Sequence, residues 1–316
     1  MSTTVQDAVQ TYLDERRQLG FDLRISGQQL MRFAQYADAR GHQGPLTLDI
    51  ELAWAREHVK RTGPVTWARR VEVVRPFAAY YRQFEPSSEV PDGTIFGPGH
   101  RRLAPHIYTD QEVCDLLEEA GRLTPHAGLR PATYRALFGL LAATGLRISE
   151  ALHLGDVDVD LQHASLTVRQ TKFNKSRCLP LHASVVKALG AYRAHRGQCA
   201  PRVPAMAFFT SPDGQPLSAR GVENIFDRLR KRLGWKARGE HVRPRIHDLR
   251  HTFAVRRVVQ WHQAGVTMDH AMFWLCTYLG HAKISDTYWY LTGVPELMAV
   301  VGERFERFAL GEAEHE

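Results

Sequence analysis

Apolar positions over the first 85 residues recur at helical spacing. Val5, Val9, Tyr12 and Leu13 form one stripe ahead of Gly20, and Leu30, Phe33, Ala34 and Ala37 form a second, closed by Gly41. Ile50, Ala53 and Trp54 suggest a third, and Trp67, Val71, Val74, Ala78 and Tyr81 a fourth, at steps of four and three. The spacing predicts four helices, the last of which Pro76 is expected to kink or break. Periodicity is then lost. Pro86, Pro91, Gly93, Gly97, Pro98, Gly99 and Pro105 crowd one stretch, which reads as a linker. The expected organisation is an N-terminal helical domain over 1–85, a linker over 86–106 and a second domain over 107–316.

The second domain opens on Thr109-Asp110-Gln111-Glu112, a capping box, followed by Val113, Leu116, Leu117 and Ala120 and ended by Gly121. Pro131 suits the first position of the next helix, which runs through Leu137, Phe138, Leu140 and Leu141 to Thr144-Gly145. A further helix starts at Ser149. The period then changes to two: Val157, Val159 and Leu161 alternate, as do Leu166 and Val168, and Arg177 to Leu181 follows. This predicts a small antiparallel sheet with Lys172 near a hairpin tip. Helices resume over Ala183–His195, and Ser218 is placed to cap one that buries Val222, Ile225, Phe226, Leu229 and Leu233 and turns Arg228, Arg230, Lys231 and Arg232 to solvent. Met272, Phe273, Leu275, Cys276 and Leu279 mark a core helix closed by Gly280. Leu297, Val301, Phe305 and Phe308 predict a terminal helix that finishes its own core or docks on another subunit. The fold class expected is mainly α, with one small sheet in the second domain.

Charge sharpens this picture. The net charge is +7, and residues 1–100 hold 12 Lys/Arg against 12 Asp/Glu. The remaining 29 against 22, and so the whole excess, lie in 101–316. The densest stretch is Arg228, Arg230, Lys231, Arg232, Lys236, Arg238, Arg243 and Arg245, with Glu240 the one acid among them. Such a field concentrates polyanions, nucleic acid foremost. Arg69 and Arg70 are candidates for the same task in the first domain, and Arg228, Arg232, Arg243 and Arg245 in the second. Four cysteines lie far apart with no C-x-x-C, which argues for a reducing compartment and against a cysteine zinc site. The N-terminus lacks a leader pattern, and the run Ala136–Leu146 is too short to span a bilayer, so a cytoplasmic, nucleoid-associated protein is expected.

The candidate chemistry centres on Pro244 to Ala254. His247 and Arg250, three apart, put an imidazole and a guanidinium on one helix face, a pair suited to a phosphate oxygen and a moving proton. Arg147 follows a rigid turn beside a helix start, where backbone N–H groups also favour an anion; pairing with Glu150 is the plainer account of it. His281 follows Leu279-Gly280, and Tyr288, Trp289 and Tyr290 follow in turn.

Assembled, these residues resemble the tyrosine recombinase (phage integrase) family, including its Xer-type members. Thr144-Gly145-Leu146-Arg147-Ile148-Ser149-Glu150 is similar to the first arginine motif. His247-Asp248-Leu249-Arg250-His251-Thr252-Phe253-Ala254 is similar to the second, and Leu279-Gly280-His281 with Tyr290 to the third. The resemblance covers the whole second domain, and more loosely it extends to the N-terminal helices as a SAM-like core-binding domain. It implies that Tyr290 attacks a DNA phosphodiester to give a 3′-phosphotyrosine and a 5′-hydroxyl. Arg147 and Arg250 would clamp the non-bridging oxygens, Lys172 would protonate the departing 5′-oxygen, His247 would assist proton transfer at Tyr290, and His281 would hydrogen-bond the phosphate. Tyr288 and Lys175 stay open as alternatives to Tyr290 and Lys172. The two guanidiniums supply charge that a metal would otherwise supply, so neither metal nor cofactor is expected. The implied partners are double-stranded DNA and a homotetramer on paired sites, with or without a partner recombinase, and no membrane.

Three rival functions share some of these features. His247 and His251, four apart, have a zinc-ligand spacing, but Arg250 would repel a cation and no third ligand is evident. A catalytically inactive DNA-binding accessory protein of the same fold would not need all six functional groups. A type IB topoisomerase would use similar chemistry as a monomer. The expected activity is site-specific cutting and rejoining of DNA, for integration, transposition or resolution.

Overall fold

The computed structural model describes residues 4–57, 63–99, 103–126, 128–169, 176–199 and 207–291. It separates into two compact units, residues 1–102 and 103–316.

The first unit is helical. Helices α1 (Val5–Gln18), α2 (Arg24–Ala39), α3 (Leu48–Arg56) and α4 (Pro64–Tyr81) surround one core of Val9, Leu13, Leu30, Phe33, Trp54, Val74 and Phe77. Thr4 caps α1 reciprocally with Asp7, a capping box that fixes where the chain turns helical. Two sequence expectations give way here. In α3 the buried face is Glu51, Trp54 and Ala55 rather than Ala53. Helix α4 runs unbroken through Pro76, which lies on the exposed side, where water can replace the hydrogen bond its ring removes. Arg70 donates to the carbonyls of Trp54 (2.6 Å) and Glu57 (3.2 Å) and lies over the Trp54 ring, so its guanidinium closes the C-terminal end of α3. Arg69 is exposed and donates to the Gly99 carbonyl at 2.8 Å.

The second unit begins with α5 (Asp110–Gly121), capped as its sequence predicts: Thr109 Oγ1 accepts from Glu112 N, and the Glu112 carboxylate accepts from Thr109 N. Helix α6 (Leu129–Thr144) follows Gly128 as its N-cap and starts at Leu129 rather than Pro131, which takes the third helical position, still among residues with no helical acceptor to meet. Then come α7 (Ile148–Leu152), the strands β1 (Val159–Asp160), β2 (Ser165–Val168) and β3 (Arg177–Pro180), and α8 (Ala183–Cys199), α9 (Ala219–Arg232), α10 (Asp248–Gln263), α11 (Met268–Leu279) and α12 (Ser285–Tyr288). The sheet is antiparallel in the order β1-β2-β3, with Val159 opposite Leu166 and Val168 opposite Arg177. Val157 does not join its alternation. It sits in a single 3₁₀ turn and is exposed, because the chain is still turning there.

The larger core packs α5, α6, α8 and α9 around Phe138, Phe208, Phe209, Phe226 and Leu249. A smaller adjoining core holds Phe253, Val258, Met272, Leu275, Leu279 and Tyr290. Helix α10 therefore joins the two, with Leu249 in one and Phe253 in the other. Arg230, expected at the surface, folds back onto Asp227 and is largely covered, and Leu233 falls just beyond α9. Among the described residues no helix is long and apolar enough to cross a membrane. Lys172, Lys175 and the terminal apolar pattern from Leu297 to Phe308 lie outside the described residues.

Candidate active site

The site forms where α10 begins and α11 ends. Helix α6 stops at Gly145, whose φ of +62° is a left-handed conformation that only glycine adopts freely. A Cβ there would stand 2.5 Å from Phe253 Cδ1. Two residues later Arg147 is the residue that opens α7, and its Nη1 lies 2.8 Å from Glu150 Oε1. The same carboxylate takes both arms of Arg177, at 3.1 and 2.9 Å. Burial works to raise the Glu150 pKa, but hydrogen bonds and charge from Arg177 and Arg147 outweigh it, and the group is held below the usual carboxylate range.

Helix α11 ends at Gly280, again left-handed with φ of +67°. Its last carbonyls collect cations, as the negative end of a helix should. Arg177 Nε donates to the Tyr278 carbonyl at 2.8 Å. Arg250 Nη2 donates to that of Leu279 at 2.9 Å, and Arg147 Nη1 approaches the same oxygen at 3.5 Å. One carbonyl thus brings together the two arginines that the sequence placed 103 positions apart.

Arg250 is 2% exposed and uses its whole fork. Nη1 donates to the Gly145 carbonyl at 2.7 Å, Nη2 meets His281 Nε2 at 2.9 Å, and Nε donates to the Tyr290 hydroxyl at 3.1 Å. His281 Nε2 is also 3.5 Å from that hydroxyl, and its ring stacks on Tyr290 with an interplanar angle of 10°. Nδ1 of His281 lies 2.8 Å from Thr287 Oγ1. Tyr290 is 4% exposed, whereas Tyr288 is 40% exposed.

The histidines form a row. His247 precedes α10 and faces His251, which in turn packs on Tyr290. His247 keeps an exposed edge. Crowding by its neighbours, with the charges of Arg250, Arg245 and Arg147, nonetheless pushes its pKa down to about 4. Burial and Arg250 likewise lower His281 to about 4, and burial and His247 lower His251 to about 2. All three are therefore neutral near pH 7. Among the described residues no group of His, Cys, Asp and Glu is arranged to hold a metal. Among the described residues the contacts to the Tyr290 hydroxyl come from Arg250 and His281, not from His247.

Arg228 and Arg232 are exposed on α9. Arg243 is exposed beside Asp227 at 3.1 Å, and Arg245 is bound to the buried Asp248 at 2.6 Å. Arg245 thereby fixes the start of α10.

The profile of the phage integrase family matches residues 108–294. The chain belongs to the phage integrase family. It is an enzyme of the tyrosine-type site-specific recombinase class. A Sinorhizobium fredii protein named as integrase/recombinase y4rB is 38% identical over 309 residues, covering 96% of this chain and 98% of the relative. The tyrosine recombinase XerC of Bacillus subtilis is 27% identical over 285 residues, covering 89% of this chain and 84% of the relative. Among solved structures, the Tn1549 transposon integrase in complex with a circular intermediate DNA gives a TM-score of 0.69 at 19% identity, over 96% of this chain and 100% of that one. The XerH site-specific recombinase bound to its difH substrate gives 0.66 at 17%, over 89% of this chain and 79% of that one. At those identities the structural likeness establishes the fold, which is mainly helical with a small antiparallel sheet, as expected.

The sequence reading missed three residues of the site. Arg177 looked like an ordinary strand residue, Glu150 only a local partner for Arg147, and Thr287 went unremarked. A glycine pressed against a distant side chain gives the first away: a Cβ on Gly280 would stand 2.7 Å from Arg177 Nη1.

Proposed function

We propose that this recombinase cuts and rejoins double-stranded DNA at specific sites through a 3′-phosphotyrosine on Tyr290. The observation that carries the reading is the Tyr290 hydroxyl, 3.1 Å from the Nε of a buried Arg250 whose Nη2 shares the Leu279 carbonyl with Arg147. Among the described residues the Glu150 carboxylate is shared by two guanidiniums, Arg147 and Arg177, with that of Arg250 beside them, a positive surround that suits a phosphodiester and its more highly charged transition state. A phenol is a weak nucleophile at neutral pH and needs this cationic surround and a proton acceptor. In the reaction, Tyr290 Oη bonds to phosphorus as the phosphorus–O5′ bond breaks. The phenolic proton passes to His281 Nε2, and the departing oxygen takes a proton from Lys172. Arg147 and Arg250 release the Leu279 carbonyl and bind the non-bridging oxygens in its place. Rejoining reverses these steps and needs no ATP, since the bond energy is kept in the phosphotyrosine.

The exposed Arg228, Arg232 and Arg243, with Arg69 in the first unit, serve as phosphate-backbone contacts; Arg70 and Arg245 act mainly within their own units. Four copies on two paired sites are the working assembly. A plasmid carrying two copies of a site recovered by binding selection tests this. Deletion or inversion between the copies is expected. Relaxation of site-free plasmid by the monomer, without exchange, would instead support a type IB topoisomerase, and binding without any cleavage an inactive accessory protein.

A further inference from the structure

We propose that Thr287 is a positioning residue of this site: it fixes the tautomer of His281, leaving Nε2 as a bare acceptor toward Arg250 and Tyr290. Which groups can donate decides the assignment. A guanidinium has five N–H donors and no acceptor. Arg250 Nη2 stands 2.9 Å from His281 Nε2, so Nε2 carries the lone pair. A neutral imidazole has one N–H, which must then be on Nδ1, and at 2.8 Å Thr287 Oγ1 accepts it. The opposite tautomer, and the doubly protonated ring, would each aim an N–H at an N–H of Arg250.

The threonine is built to do this. It is 0% exposed, so water cannot take over its role, and its own N–H is held by the Ile284 carbonyl at 2.8 Å. It lies on α12, three residues before Tyr290, so one turn of chain carries both the nucleophile and the group that orients its proton acceptor. The His281 ring stacks flat on Tyr290 with Nε2 3.5 Å from the hydroxyl. Once Arg250 Nη2 turns to the phosphate, the lone pair of Nε2 is free to take the phenolic proton; unprotonated, Nε2 cannot donate to a phosphate, the role that the family resemblance implies for His281. The burial and cationic neighbours that disfavour a charged His281 act in the same direction. The hydrogen-bond assignment stands by itself, whereas the catalytic consequence rests on the recombinase reading above.

The test uses the full chain, labelled with ¹⁵N-histidine, and its long-range ¹H–¹⁵N spectrum without DNA; the His281 signals are assigned by their loss in His281→Gln. The wild type is expected to show the Nδ1–H form. Thr287→Val, which keeps the shape and removes the acceptor, is expected to lose that preference, and Thr287→Ser to keep it. In cleavage of a nicked duplex at saturating protein, Thr287→Val should slow covalent adduct formation about 10- to 100-fold with unchanged DNA affinity, and Thr287→Ser should recover it. An Nε2–H wild type, or a Thr287→Val variant with both tautomer and rate unchanged, would overturn the proposal. Should Thr287→Val fail to fold, Thr287→Ala, which also removes the acceptor, is read in its place, and an unchanged tautomer and rate in it would overturn the proposal equally. Should the wild type form no adduct, the recombinase reading fails, and the spectrum still settles the hydrogen bond.

Discussion

Replacing Gly145 by alanine tests whether the turn after α6 holds the arginines in place. The backbone there has φ of +62°, which costs an L-residue about 1 kcal/mol relative to glycine. The new Cβ would meet Phe253 at 2.5 Å from Cδ1 and 3.0 Å from Cγ. Phe253 cannot easily yield, being 8% exposed and stacked on Tyr278 at 5.4 Å, so overpacking adds about 1–3 kcal/mol. The expected loss is about 2–4 kcal/mol, read as a lower urea midpoint. Relief of the overlap moves the Gly145 carbonyl, which Arg250 Nη1 holds at 2.7 Å, and Arg147 two residues on. Adduct formation should therefore fall at least about tenfold even where the variant is fully folded. Gly265 is the control: its φ is +79° but nothing among the described residues stands within 4 Å of a Cβ, so Gly265→Ala should cost only the backbone share and leave cleavage intact. Equal costs for the two variants, or normal cleavage by folded Gly145→Ala, would refute the reasoning.

Three further outcomes follow from particular groups. Glu51 is 1% exposed and neither carboxyl oxygen has a partner among the described residues; burial, then Glu89, raises its pKa to about 8. Its folded pKa exceeds the unfolded one, so the stability it confers is present below pH 4.5 and is lost as pH rises to about 8, at up to about 1.4 kcal/mol per pH unit; Glu51→Gln should flatten that slope in pH-dependent unfolding. Glu150→Gln unpairs Arg147 and Arg177 from a carboxylate with 7% side-chain exposure, and should cost about 3 kcal/mol and slow cleavage more than it weakens DNA binding. His281 has a folded pKa near 4 against 6.5, so the stability of its neutral form is present above pH 6.5 and fades as pH falls toward 4. Cleavage should accordingly show no loss between pH 8 and 6 from protonation of this imidazole, and a profile dropping at 6.5 would contradict that.

Local signals were legible in the sequence where a single residue's own chemistry decides the outcome. The Thr109 capping box, the stops at Gly145 and Gly280, and the Val9, Leu13, Phe33 and Val74 stripes each announce themselves within a few positions. The candidate site residues were legible as a resemblance, but the contacts among them were not, because those are made across the fold. Arg177 reaches Glu150 across 27 positions, and His281 rather than His247 meets the Tyr290 hydroxyl. Charge at the surface was the least readable feature. Arg70, Arg230 and Arg245 look alike in sequence to Arg228 and Arg232, yet each is engaged by a carbonyl or carboxylate that only the folded chain supplies. That α4 continues past Pro76 is unreadable for the same reason, since it depends on which face of the helix meets water.

The most direct test of the account traps the covalent intermediate. A nicked duplex bearing a selected site lets the short fragment beyond the nick diffuse away, so an attacked strand stays attached to protein and shows as a denaturant-resistant shifted band. The account predicts that adduct for the wild type and for Tyr288→Phe, its disappearance in Tyr290→Phe, and a DNA-linked peptide containing Tyr290 after proteolysis. An adduct that survives in Tyr290→Phe and vanishes in Tyr288→Phe would contradict it.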